Sequence, residues 1–188
     1  YLYNGFLVAV LIIAVAAFQP EVRRALMRIG QSHFRSSAWQ HLSRTVEELV
    51  SALIELSAAR IGAIVVIEKR VALGEFIETG VRIDARVTSE LIKTIFQPGT
   101  ALHDMAVLIR GDRIIAARVQ LPLAEAGAGA GAGLGSRHRA AIGITTGSDA
   151  ICLVVSEETG IVSIAENGKL TRNMDESRLK EYLAKALS

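Results

Sequence analysis

Cysteine is nearly absent from this chain of 188 residues. Cys152 is the single one, and it lies in the apolar run Ile151-Cys152-Leu153-Val154-Val155. A disulfide framework and a cysteine metal site are thereby excluded, and a buried, reduced thiol is expected. Net charge is scarce too: 21 Lys and Arg against 19 Asp and Glu leave +2. That is too little to argue for nucleic acid as a partner, and none is expected. Lysine is missing between Lys93 and Lys169, and the glycine tract from Gly127 to Gly135 contains no Gly-x-Gly-x-x-Gly spacing. The tract is therefore neither a lysine-bearing phosphate loop nor a dinucleotide fingerprint. What the chain does have is apolar residues, 51% of all positions. They suffice for one ordinary core, beside which a second full domain would be crowded.

Tyr1 to Phe18 carries no charge and is mostly Leu, Val, Ile, Ala and Phe. Such a run is at the short end of what spans a bilayer. Arg23, Arg24, Arg28 and Arg35 follow it, as expected on the cytoplasmic side of a spanning helix. A cleaved signal peptide would carry its positive residues before the apolar run, and a buried core helix is the competing reading. No Met opens the chain, so an excerpt with further spans upstream is expected. The expected organisation is a transmembrane helix over 1–19, a basic linker over 20–37 and one domain over 38–188.

From Trp39 the apolar positions Leu42, Val46, Leu49, Val50, Leu53, Ile54 and Leu56 recur at helical spacing, predicting an amphipathic helix to about Arg60. The β-branched run Ile61 to Ile67 predicts a strand buried on both faces. Lys69 to Gly80 reads as loop. Thr88 or Ser89 can cap a helix through Phe96, closed by Pro98-Gly99. Ala106 to Ile109 and Ile114 to Val119 predict a hairpin turning at Arg110-Gly111-Asp112. Ala124 to Leu134 reads as a loop of alternating Gly and Ala. A helix from Arg137 to about Thr145, strands over Ile151 to Ser156 and Gly160 to Glu166, a turn at Asn167-Gly168 and a last helix capped by Asp175 complete the chain. Strands and helices interleave, so the expected class is α/β: a central mixed β-sheet flanked by helices, preceded by a transmembrane helix.

Three polar clusters could carry chemistry. Arg137-His138-Arg139 packs two guanidinium groups and an imidazole at a predicted helix start, after Gly135-Ser136, which suits phosphate. A solvated basic patch is the alternative. His103-Asp104 offers a carboxylate beside an imidazole, which suits a divalent metal, although an Asp at a strand edge is commonly a turn or cap residue. Ser156-Glu157-Glu158-Thr159-Gly160 sets two carboxylates at a strand end, where a solvated turn is the alternative. A metal site and a phosphate site on neighbouring elements together suggest nucleotide chemistry.

Taken together, these segments resemble the diadenylate cyclases, whose signatures are Asp-Gly-Ala and Arg-His-Arg, and specifically their membrane-anchored bacterial branch. The likeness extends from Phe18-Gln19-Pro20-Glu21-Val22-Arg23-Arg24 through Ile77-Glu78-Thr79-Gly80, Leu102-His103-Asp104, Leu121-Pro122-Leu123 and Arg137-His138-Arg139 to Ser156-Glu157-Glu158-Thr159-Gly160. The resemblance implies condensation of two ATP molecules into cyclic di-AMP with release of pyrophosphate. The reaction would run across a homodimer on the cytoplasmic face of the cell membrane, with membrane proteins as regulatory partners. Asp104 would hold a divalent metal, Mg²⁺ or Mn²⁺ with Co²⁺ as a third choice, and orient or deprotonate the 3′-hydroxyl. Glu158 and His103 would be further metal contacts. Arg137, His138, Arg139 and Ser136 would hold phosphates. Leu121 would lie against adenine, largely through its backbone, and Met105, Ala106 and Ser156 would complete the nucleotide site. The sequence departs from the family pattern in three places. Met105 stands where the family has glycine, Ser136 replaces a threonine, and Gln120 replaces a tyrosine able to stack on adenine. The first departure supports a rival expectation, a nucleotide-binding regulatory module of a membrane complex whose turnover is impaired by Met105.

Overall fold

A computed structural model describes residues 42–124 and 135–187. The expected transmembrane helix over 1–19, the linker over 20–37 and nearly all of the Gly/Ala loop lie outside the described residues. Among the described residues no helix is long and apolar enough to cross a membrane.

The centre of the domain is β1 (Ala63–Glu68), the β-branched run, whose residues from Ala63 to Ile67 are all buried. It pairs in parallel with β3 (Ala106–Arg110) and antiparallel with β5 (Ile151–Val155). β4 (Arg113–Val119) folds back on β3 through Gly111, whose φ of 60° suits a residue without a Cβ. With β2 (Val81–Arg86), β6 (Val162–Glu166) and β7 (Lys169–Arg172), the order is β2-β4-β3-β1-β5-β6-β7. This is the mixed sheet that the interleaved pattern predicts.

Period-two alternation along the central strands sends side chains to two separate cores. Ala63, Val65 and Ile67 pack with Leu49, Leu53, Ile92, Phe96, Leu179 and Leu183. These come from α1 (residues 42–58), α3 (Ser89–Phe96) and α5 (Glu176–Ala186). Ile64 and Val66 pack with Leu73, Ile77, Ala141 and Ile144 on the other face, the side of α2 (Gly74–Ile77) and α4 (Ser136–Thr146). The predicted caps form: Thr88 accepts from the Leu91 amide at 3.2 Å and Asp175 from the Arg178 amide at 2.9 Å.

Three elements differ from the sequence reading. β2 occupies Val81–Arg86, where no strand is predicted; it is an edge strand with no buried residue, so burial left no apolar signal. α2 is a single helical turn inside the stretch read as loop. After Asn167-Gly168 the chain returns as β7, again largely exposed and basic.

Candidate active site

The parallel pairing of β1 with β3 brings both N-terminal ends to one edge of the sheet. Antiparallel partners add the C-terminal ends of β4 and β5, since Ala106 lies opposite Val119 and Ala63 opposite Val155. A cavity of about 590 Å³ opens there, lined by Ile64, Asp104, Met105, Ala106, Val119, Gln120, Leu121, Leu123, Ser136, Arg137, Ala140 and Glu157. Its volume falls within the range of small-molecule sites. A smaller cavity of about 70 Å³ shares Ser136, Arg137 and Glu157 with it and adds Gly135, His138, Val155, Ser156, Glu158, Thr159 and Arg172.

Local structure explains how the walls are set. Between Ala106 and Leu108 on β3, the facing strand β4 runs from Val119 to Ala116, one residue more. The surplus is a bulge at Arg118, whose φ is 57°. Bulges re-aim the chain beside functional sites, and here Val119, Gln120 and Leu121 leave β4 along the cavity wall. Beyond them the chain packs on α4. The Ala124 amide donates to the Arg139 carbonyl at 3.1 Å, and Arg139 Nε donates to the Ala124 carbonyl at 3.2 Å. α4 starts on Gly135 without a side-chain cap, and its first-turn residues Ser136 and Arg137 line both cavities.

Of the predicted site residues, Asp104, Met105, Ala106, Leu121, Ser136 and Arg137 share the larger cavity, although 33 positions separate Asp104 from Arg137 in the chain. His138, Ser156 and Glu158 line the smaller one. Arg139 lines neither and instead clamps the segment after β4. The carboxylate that shares the larger cavity with Asp104 is Glu157, which sequence reasoning left without a role; its neighbour Glu158 had taken the metal assignment by resemblance alone.

Met105 has φ of 66° and is 47% exposed. Left-handed backbone costs a side-chain-bearing residue roughly 1–2 kcal/mol relative to the right-handed region. A glycine, the residue that the resemblance expects at this position, avoids this cost.

His103 Nδ1 lies 2.6 Å from the Thr100 carbonyl oxygen. A carbonyl only accepts, so Nδ1 carries the proton and, in the neutral ring, Nε2 presents its lone pair. That lone pair lies 3.6 Å from an Asp104 carboxylate oxygen. Two lone-pair-bearing atoms so close suit a shared cation, so this ligand pair fits a divalent metal. Among the described residues no group of three or more His, Cys, Asp and Glu forms a complete cage. Such a metal would take its remaining ligands from phosphate oxygens and water, as Mg²⁺ commonly does.

His138 is buried, and its Nε2 has no hydrogen-bond partner among the described residues. Burial, then the charges of Arg172 and Arg137, hold its pKa below the ordinary 6.5 against the pull of Glu158. Burial likewise pushes the Cys152 thiol up, leaving no reactive thiolate. At the far end of the sheet Glu68, itself nearly buried, accepts from Arg110 Nη2 at 2.9 Å and from the Leu73 amide at 3.0 Å. The Arg110 bond foremost holds its carboxyl below the usual range, making this a structural pair away from the cavity.

The family described as DAC, DisA bacterial checkpoint controller nucleotide-binding, matches residues 50–170. The cyclic di-AMP synthase CdaA of Bacillus subtilis (strain 168) is 43% identical over 183 residues, covering 95% of this chain and 65% of that protein. This chain thus spans a little under two thirds of that relative's length. The crystal structure of a double mutant of DacA from Staphylococcus aureus superposes with a TM-score of 0.74 at 39% identity, over 77% of this chain and 95% of that one. A hypothetical membrane spanning protein from Bacillus cereus gives 0.66 at 43%, over 69% and 63%. With its family match over residues 50–170, a relative of 43% identity and a solved structure that superposes at a TM-score of 0.74, this chain belongs to the DAC family of nucleotide-binding domains.

Proposed function

We propose that this protein is a diadenylate cyclase, condensing two ATP molecules into cyclic di-AMP with release of pyrophosphate. The observation that carries the reading is the single cavity lined by Asp104, Leu121, Ser136 and Arg137, a carboxylate and a guanidinium brought together at the start of α4. In each half-reaction a 3′-hydroxyl oxygen bonds to the α-phosphorus of the other nucleotide, the bond from that phosphorus to the bridging oxygen of pyrophosphate breaks, and the hydroxyl gives up its proton. Each nucleotide is thus both attacker and target, so two copies of this chain must present their cavities to each other as a homodimer.

The roles follow from position. Arg137 and the first-turn amides of α4 hold phosphate, and Ser136 adds a hydroxyl donor. His138 lends its ring from the smaller cavity beside Ser156. Arg139 keeps the Leu121 segment in place for adenine. The Asp104 side chain, 67% exposed, orients the attacking hydroxyl and accepts its proton. Asp104 and His103 would hold a divalent metal, Mg²⁺, Mn²⁺ or Co²⁺, which would supply charge neutralisation for the crowded triphosphates. Glu158, expected as a further contact, lines the smaller cavity, and among the described residues it forms no three-ligand group with them. Catalysis is then alignment and electrostatic stabilisation. The apolar start with its trailing arginines, together with the membrane spanning neighbour from Bacillus cereus, supports anchoring in the cell membrane with this domain on the cytoplasmic side, within reach of membrane regulatory proteins.

Incubating the full chain with ATP and Mn²⁺ is expected to yield cyclic di-AMP, detected by mass. A second reading rests on the left-handed, exposed Met105 in the cavity wall: a module that binds ATP with impaired turnover. Bound ATP without product, and product restored by Met105→Gly, would select it.

A further inference from the structure

Arg137 does not stand alone in the cavity wall. Its Nη1 donates to Glu157 Oε2 at 2.6 Å, with the Arg137 side chain 23% exposed. Beneath the pair lies Gly62, a buried residue just before β1. A Cβ at Gly62 would come within 2.8 Å of both Cζ and Nη1 of Arg137 and 3.0 Å of Glu157 Oε2. No other residue type leaves that space, because even alanine would push against the charged ends of both side chains at once. The guanidinium therefore rests on bare backbone while a carboxylate from the strand-end turn after β5 holds one of its nitrogens.

An arginine has five N–H donors in a rigid fork. Spending one N–H of Nη1 on Glu157 restrains the fork and leaves the other four donors for an incoming anion. An arginine on a four-bond stem would otherwise lose rotamer freedom when it met the anion. From this geometry, and resting on the reading of the cavity as an ATP site, we propose that Gly62 and Glu157 are positioning residues for Arg137. Gly62 supplies the seat and Glu157 the tether that preorganise the guanidinium for the triphosphate.

The test is ATP affinity by isothermal titration with the full chain, its apparent melting temperature without nucleotide as the control for folding, and kcat and KM for cyclic di-AMP formation. Gly62→Ala removes no functional group, yet it is expected to weaken ATP binding by about tenfold or more, as Arg137→Ala does. In an Arg137→Ala background Gly62→Ala should add nothing further, because the seat then has no occupant. Glu157→Ala should weaken binding and raise KM, and Glu157→Gln, which keeps an acceptor oxygen but loses the charge, should do so by a smaller factor. Gly62→Ala binding ATP like the parent, losses that multiply in the double variant, or Glu157→Ala binding more tightly would each overturn the proposal; the last would make Glu157 a competitor of phosphate. Should Gly62→Ala fail to fold, the two Glu157 variants decide alone. Failure of the unaltered chain to bind ATP would instead overturn the ATP reading of the site.

Discussion

At the scale of single residues, Met105 is where local backbone preference and chain identity disagree. Its φ of 66° is the conformation in which a Cβ is costly, so Met105→Gly removes roughly 1 kcal/mol of local cost while adding a few tenths of backbone entropy to the unfolded chain. The expected net result is a small rise in the urea midpoint together with faster cyclic di-AMP formation, read in the same purified variant. Asp104 differs in kind, being exposed with His103 as its neighbour. Asp104→Asn should leave stability within about 0.5 kcal/mol. It should also lower turnover on the order of a hundredfold, since the proton acceptor is lost. Full turnover in that variant would take Asp104 out of the chemistry.

At the scale of elements, the site depends on how closely α4 approaches the segment that leaves β4. A Cβ on Gly143 would lie 2.1 Å from the Pro122 carbonyl oxygen and 3.0 Å from the Ala124 amide, and both are backbone atoms that cannot swing aside. Gly143→Ala therefore has to part the helix from Leu121 to Ala124. The gain in helix propensity, about 1 kcal/mol, is outweighed by overpacking and by loss of the paired Ala124 and Arg139 bonds. A net destabilisation of roughly 1–3 kcal/mol is expected by urea unfolding, with weaker ATP binding because the cavity wall moves. An unchanged midpoint would mean that the contact yields freely.

At the scale of the whole molecule, pH acts through His138. Its folded pKa lies below the unfolded 6.5 because burial and two arginines disfavour the charged ring. The unfolded chain therefore takes up this proton first. Stability is fully present above pH 6.5 and falls as pH drops below it, by at most about 1.4 kcal/mol per pH unit. The lowered carboxylates Glu68, Glu55 and Asp149 titrate in a more acidic range, so they do not mask the effect between pH 7.5 and 5.5. Urea titrations across that interval should show a loss that His138→Gln flattens; equal slopes would show that folding leaves the ring's pKa where it stands in the unfolded chain.

Much of this was legible in the sequence. A β-branched run marks β1, period 3.6 marks α1 and α5, and Thr88 and Asp175 announce their caps. The edge strands β2 and β7 stayed hidden because they bury almost nothing. The chain by itself determined the class of fold and the residue types available for phosphate and metal, since periodicity and side-chain chemistry are local properties. Only the tertiary structure decided which of them meet: that Asp104 and Arg137 share a cavity, that Glu157 and not Glu158 holds the arginine, and that Arg139 serves the backbone. Those outcomes depend on strand order, on a one-residue bulge and on the absence of a Cβ at Gly62. Such long-range packing relations are not carried by any single window of sequence.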